Sequence, residues 1–166
     1  FEGYWKDVGT IESLWEANMD LLNPNVPLNL YDSEWKIYAR NPGLPPHFVA
    51  KVADVQNSMI TEGCEIWGTV DFSVLFSGVT VEKGAVVKDS IVMPGCVIKA
   101  GARVEYSIVA ENCVIGEDCV IGRRPEDMEN LDEWGVAVVG SDSVLDPGSV
   151  VKPKQLLDSK TTGKVG

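Results

Sequence analysis

The chain has 166 residues, with 14 Lys and Arg against 25 Asp and Glu, a formal net charge of -11 at pH 7 and 45% hydrophobic residues. This composition suits one compact domain with an appendage, excludes a disordered chain, and argues against a nucleic-acid groove or anionic membrane surface, which need clustered Lys and Arg. No apolar run approaches the ~20 residues that span a bilayer and no signal-peptide pattern opens the chain, so the expectation is a soluble, cytoplasmic protein with neither nucleic-acid nor membrane partners.

The first residues, FEGYWKDVGT, come without an initiator Met and form a glycine-flanked turn that displays one carboxylate, Asp7. Residues 10–22, TIESLWEANMDLL, place Ile11, Leu14, Trp15, Met19 and Leu22 on one face at helical spacing. Thr10 is the expected N-cap and Asn23-Pro24 the stop, so residues 1–22 read as one unit ending in an amphipathic helix. Residues 23–50 are rich in proline and turn residues and predict a connector with a short extended run from Trp35 to Tyr38. Its Leu28, Leu30, Tyr31, Trp35 and Phe48 are expected to pack on neighbouring elements, since a freely mobile linker carries fewer aromatics.

Residues 51–166 carry an internal repeat. GVTVEKGAVVKDSIVMP from Gly78 is followed by GCVIKAGARVEYSIVAE from Gly95 and NCVIGEDCVIG from Asn112, a period of 17. Val81, Ile98 and Ile115 fall in one register, Val87, Val104 and Ile121 in a second six residues later, and Ser90 and Ser107 in a third. Upstream, Val55-x-x-Ser58 recurs as Val70-x-x-Ser73, a unit two residues short; downstream, Val139, Leu145 and Val151 again stand six apart. Aliphatics at six-residue spacing suit three flat faces joined by tight corners, which predicts a mainly β fold, a parallel β-helix whose coils bury their faces by stacking. Cys64, Cys96, Cys113 and Cys119 fall at the small-residue site two positions before the aliphatic and read as core filler, without C-x-x-C pairs for zinc. At about residues 122–136 the repeat breaks into a loop excursion containing Arg123 and Arg124, either a solvated insertion or an arginine pair that receives an anion or a partner carboxylate.

GYWKDVGTIESLWEANMDLL, IYARNPGLPPHFV and SVLFSGVTVEKGAVVKDSIVMPG together resemble the carboxyl-terminal portion of the bacterial ADP-glucose pyrophosphorylase (glucose-1-phosphate adenylyltransferase) family. The resemblance implies a left-handed β-helix, an enzyme of glycogen synthesis that joins ATP and glucose 1-phosphate, and a missing amino-terminal Rossmann-like catalytic domain. Phe1 to Thr10 would then be the last strand and loop of that domain. Asp7 matches the aspartate of W-x-D-x-G-T, one of two carboxylates that hold the catalytic Mg²⁺ in the intact enzyme. The implied partners are the chain's own catalytic domain and further copies or related subunits in an oligomer, with metabolite effectors held between domains. Thr61-Glu62-Gly63 aligns with an effector-pocket loop of the family, whereas the family's arginine after the last coils has no clean counterpart, although Arg123 and Arg124 lie nearby.

By this reading the chain is an oligomerisation and regulatory domain, inactive alone and without a cofactor of its own. Three alternatives stay open: a domain of another sugar nucleotidyltransferase, an inactive regulatory paralogue, or a hexapeptide acyltransferase. The last needs a catalytic His at a coil interface, and the single histidine, His47, precedes the repeats.

Overall fold

The structure, a computed structural model, describes residues 3–30, 32–36, 38 and 42–166. Most of them form a left-handed parallel β-helix of about seven coils, built from strands only two or three residues long. The strands stack into three parallel sheets of seven, six and six strands among the described residues. Face 1 runs from Phe48–Val49 to Thr162–Gly163, face 2 from Asp54–Gln56 to Val150–Val151, and face 3 from Met59–Ile60 to Leu156–Leu157.

The seventeen-residue period is the strand register itself. Ile98 lies between Val81 and Ile115 on face 1, and Val104 between Val87 and Ile121 on face 2. All six side chains point inward at 0% exposure. The short upstream unit is also real: Val55 pairs with Val70, a step of fifteen. It loses two residues at the corner between faces 1 and 2, where Trp67-Gly68 replaces the longer turn Glu82-Lys83-Gly84-Ala85. A Cβ at Gly68 would collide with the Ala85 carbonyl, so only glycine lets the two corners approach this closely.

The stack begins earlier than residue 51. Phe48–Val49 already pairs with Glu65–Ile66, because the first coil needs a complete first face to cover the second. The connector differs from expectation in another respect. Trp35 is 83% and Tyr38 88% exposed, and Asp32 Oδ1 accepts the amides of Glu34 and Trp35, so the run opens as a side-chain-capped turn. Residues 35, 36 and 38 form no strand, and Tyr31 and Ile37 lie outside the described residues.

Helix α1, Ile11–Asp20, starts at a Thr10 N-cap whose hydroxyl accepts from Ser13 N–H while Ser13 Oγ accepts from Thr10 N–H. Its apolar stripe lies on the outside of face 3, where Met19 and Leu22 pack with Val74, Ile91, Ile108 and Val136, and Ile11, Leu14 and Trp15 pack with them part-buried. Face 3 is therefore covered on both sides and carries aliphatics outward as well as inward. Face 2, which α1 does not cover, instead points Asp54, Asp71, Lys88 and Arg103 outward.

Between faces 2 and 3 the chain turns through a left-handed residue in each of four coils: Asn57 (φ 35°), Phe72 (φ 43°), Asp89 (φ 48°) and Tyr106 (φ 45°). In the next coil Gly122 leaves the stack, and the chain returns at Ala137 beside Ser107. The excursion is an insertion at that one corner. It lengthens the step from Val114 to Val144 to thirty residues, thirteen more than seventeen.

Candidate functional site

The Trp5-Lys6-Asp7-Val8-Gly9-Thr10 element is held against α1 by charge. Lys6 Nζ lies 2.8 Å from Asp20 Oδ2 and 3.3 Å from Glu16 Oε2, and Tyr4 Oη donates to the same Asp20 oxygen at 2.9 Å. The Lys6 ammonium, with the Tyr4 hydroxyl, holds the Asp20 carboxyl below the usual carboxylate range. Asp7 is exposed, and its Oδ1 accepts Gly9 N–H at 3.0 Å, leaving Oδ2 open. Among the described residues no three His, Cys, Asp or Glu side chains are grouped to hold a metal ion.

Thr61-Glu62-Gly63 forms the corner from face 3 to face 1 in the first coils, and its backbone is already engaged. Thr61 N–H donates to Leu75 O, Glu62 O accepts from Gly78 N–H, and Gly63 N–H donates to Pro45 O at 2.6 Å. Leu44 lies over Gly63, where an added Cβ would meet its side chain at 2.6 Å. The chain's own connector thus occupies this turn.

Arg123 and Arg124 sit at a different corner, four strand spacings or about 19 Å along the axis. The structure does not bring the two predicted groups together. The two arginines also diverge. Exposed Arg123 lines a cavity of 340 Å³ with Val120, Met128, Glu133, Val150 and Lys152. Arg124 turns to the protein, with Nε 3.7 Å from Asp89 Oδ2 and a terminal nitrogen 3.1 Å from Glu126 Oε1. Both carboxylates that Arg124 faces belong to its own chain.

Asp89 is the residue that sequence reasoning missed. Its side chain is only 14% exposed. Burial pushes its carboxyl above the usual carboxylate range, with Arg124 opposing. Trp15 Nε1 donates to the Asp89 carbonyl at 2.7 Å. The Trp15 ring stacks on Tyr106 at 5.3 Å, and Tyr106 meets Trp134 edge-on at 5.1 Å. The available signal was positional: Asp89 and Tyr106 precede the repeat serines Ser90 and Ser107, the place where every coil must turn.

The cysteines are free and buried. Their sulfurs face carbonyls of the following coil, as Cys96 Sγ does Ala110 O at 2.9 Å. The neighbouring Cys113 sulfur and burial push the Cys96 thiol up, which suits filler rather than a nucleophile. His47 is exposed and outside the stack, so it supplies no base at a coil interface.

A three-faced parallel β-helix with two- and three-residue strands, a covering helix and one corner excursion defines the hexapeptide-repeat class. The chain belongs to the GlmU-like C-terminal hexapeptide family, whose model matches residues 45–139. It is 53% identical over 158 residues, 95% of its length, to proteins named glucose-1-phosphate adenylyltransferase from Bacillus thuringiensis (strain Al Hakam), Bacillus anthracis and Bacillus mycoides. The chain spans about a third (34%) of the length of these relatives.

Proposed function

We propose that this chain is the oligomerisation and regulatory domain of an enzyme that makes ADP-glucose and pyrophosphate from ATP and glucose 1-phosphate, in glycogen synthesis. The observation that carries the reading is 53% identity across 95% of the chain to proteins named for that adenylyl transfer. Its partners are the enzyme's own catalytic domain and further subunits, and ATP as substrate goes with a cytoplasmic site. Among the described residues no helix is long and apolar enough to cross a membrane.

The chain alone has no turnover in this proposal. Its left-handed glycines, such as Gly78, Gly84, Gly95 and Gly101, turn coil corners and do not open a helix over a phosphate. In the complete enzyme Asp7 contributes one carboxylate to the Mg²⁺ that neutralises the reacting phosphates, the remaining ligands coming from the catalytic domain. The seating of Lys6 on Asp20 and Glu16 supports this role, because it fixes where the Asp7 turn stands relative to α1. For regulation, the cavity under Arg123 and Lys152 is a better anion position than the Thr61-Glu62-Gly63 turn, which Leu44 and Pro45 cover.

The test is conversion of ATP and glucose 1-phosphate by the chain alone and by the protein that includes the upstream domain, with the mass of each in solution. Mg²⁺-dependent synthesis by the longer protein only, and an oligomer that dissociates when the coils are deleted, is the expected result. Synthesis by the chain alone, or a longer protein that uses another sugar phosphate or nucleotide, overturns the reading.

A further inference from the structure

We infer that the 122–136 excursion and α1 form one coupled unit, joined through the Trp15–Tyr106–Trp134 rings and a two-sided grip on Asp89, so that undocking the excursion loosens α1. Asp89 is held at both ends of the residue. The helix takes its carbonyl through Trp15 Nε1 at 2.7 Å, and the excursion faces its carboxylate with Arg124 Nε at 3.7 Å. One coil further along, Tyr106 lies between Trp15 of the helix and Trp134 of the excursion. Both corner residues have positive φ, 48° and 45°, a region that a bulky tyrosine adopts only when its surroundings impose it. Removing either ring leaves Tyr106 packed on one side in a conformation it does not favour.

Neither attached element is stable by itself. A ten-residue helix is marginal in water, and α1 lacks a basic residue in its last turn, so its order depends on packing against face 3. The two short 3₁₀ turns of the excursion, Pro125–Asp127 and Leu131–Glu133, bury none of their own residues. Trp134 Nε1 closes it onto Arg123 O at 2.8 Å, and Lys154 Nζ ties it to Asp132 O at 2.6 Å. Two weakly held elements that share the same few contacts open together, because each removes part of the other's cover. The coupling reaches the Asp7 turn, since Lys6 is paired to Asp20 and Glu16 of the same helix. A ligand under Arg123 or a subunit that moved the excursion would thereby alter the seating of that turn. This consequence for turnover rests on the proposed function, whereas the coupling itself does not.

Native-state amide hydrogen exchange on the 166-residue chain tests the coupling. Trp134→Ala is expected to speed exchange of the α1 amides by about tenfold or more while Val104 and Ile115 in the stack keep their rates. Trp15→Phe keeps a ring but deletes the bond to Asp89, and is expected to speed exchange at Met128 and Trp134, whose amides close the 3₁₀ turns. Reciprocity requires both effects. Unchanged α1 exchange in Trp134→Ala, unchanged excursion exchange in Trp15→Phe, or equal acceleration of helix and stack would each overturn the inference. Exchange is read without substrate, so its failure is distinct from a longer protein that makes no ADP-glucose, which would sink only the proposed activity.

Discussion

Ser90 N–H donates to Ser73 Oγ at 3.2 Å, seventeen residues back in the chain, while Ser90 Oγ accepts from Ser107 N–H at 3.1 Å. Each hydroxyl donates in turn to the carbonyl two residues before it, Ser90 to Lys88 at 2.6 Å. A serine column therefore satisfies buried amides at the corner beside the left-handed residues, where the strand ladder is interrupted. Ser90→Ala leaves the Ser107 amide buried without its partner, and is expected to cost about 1–3 kcal/mol in urea unfolding. A loss no larger than that of an exposed control such as Lys83→Ala would show the column to be incidental.

Val104 sits at 0% exposure between Val87 and Ile121. Val104→Asp places an unpaired carboxylate inside a stack that has no water to solvate it, and is expected to cost several kcal/mol and lower the melting temperature sharply. Lys83→Asp, which introduces the same carboxylate at an exposed position, should stay within about 0.5 kcal/mol. Equal melting of the two variants would contradict the inward register.

The raised Asp89 carboxyl has a definite sign for stability. The native state holds the proton more tightly than the unfolded chain. The stability this contributes is full below the unfolded carboxylate pKa of about 3.9 and is lost as pH rises through the raised native value. Above that native value the ionised, desolvated carboxyl no longer contributes stability. Asn57 shows that the same corner accepts asparagine at φ 35°. Asp89→Asn should leave thermal stability at pH 7 unchanged or higher, with the gain shrinking towards pH 4. A clear loss at pH 7 would mean that attraction to Arg124 outweighs burial.

The Asp20 carboxyl, held low by Lys6 and Tyr4, behaves in the opposite sense. Its contribution is present above the unfolded carboxylate pKa and is lost as pH falls through the depressed native value. Acidification should release residues 4–9 from α1 before the stack unfolds, seen as new exchange of the Gly9 amide. Lys6→Met should show that release already at neutral pH, and an identical acid profile in the variant would remove the ion pair from the account.

Asp7→Asn changes an exposed side chain whose amide oxygen can still accept from Gly9 N–H, so the chain's melting temperature should not move. In the longer enzyme the same change removes a negative metal ligand and should lower kcat by orders of magnitude. Near-normal turnover at saturating Mg²⁺ would refute the role, as would tight stoichiometric Mg²⁺ binding to the chain alone in calorimetry.

The coils, their inward residues, the short second unit, the apolar face of α1 and its Thr10 cap were all legible in the linear sequence. In a solenoid each residue stacks on its counterpart one period away, so the local repeat already states the tertiary contact. The same holds for Cys96 and Cys113, whose filler role follows from their place in the repeat. Tertiary structure alone decided that Leu44 and Pro45 cover the Thr61-Glu62-Gly63 turn, that Arg123 and Arg124 part company, and that Trp15, Asp89, Tyr106 and Trp134 meet. Those residues belong to a helix, two coil corners and an insertion, and the carbonyl that Trp15 binds lies 74 positions further along the chain. The period relates only Asp89 to Tyr106, and the docking of non-repeating elements on the outside of face 3 is what brings Trp15 and Trp134 within hydrogen-bond and ring-stacking range of them.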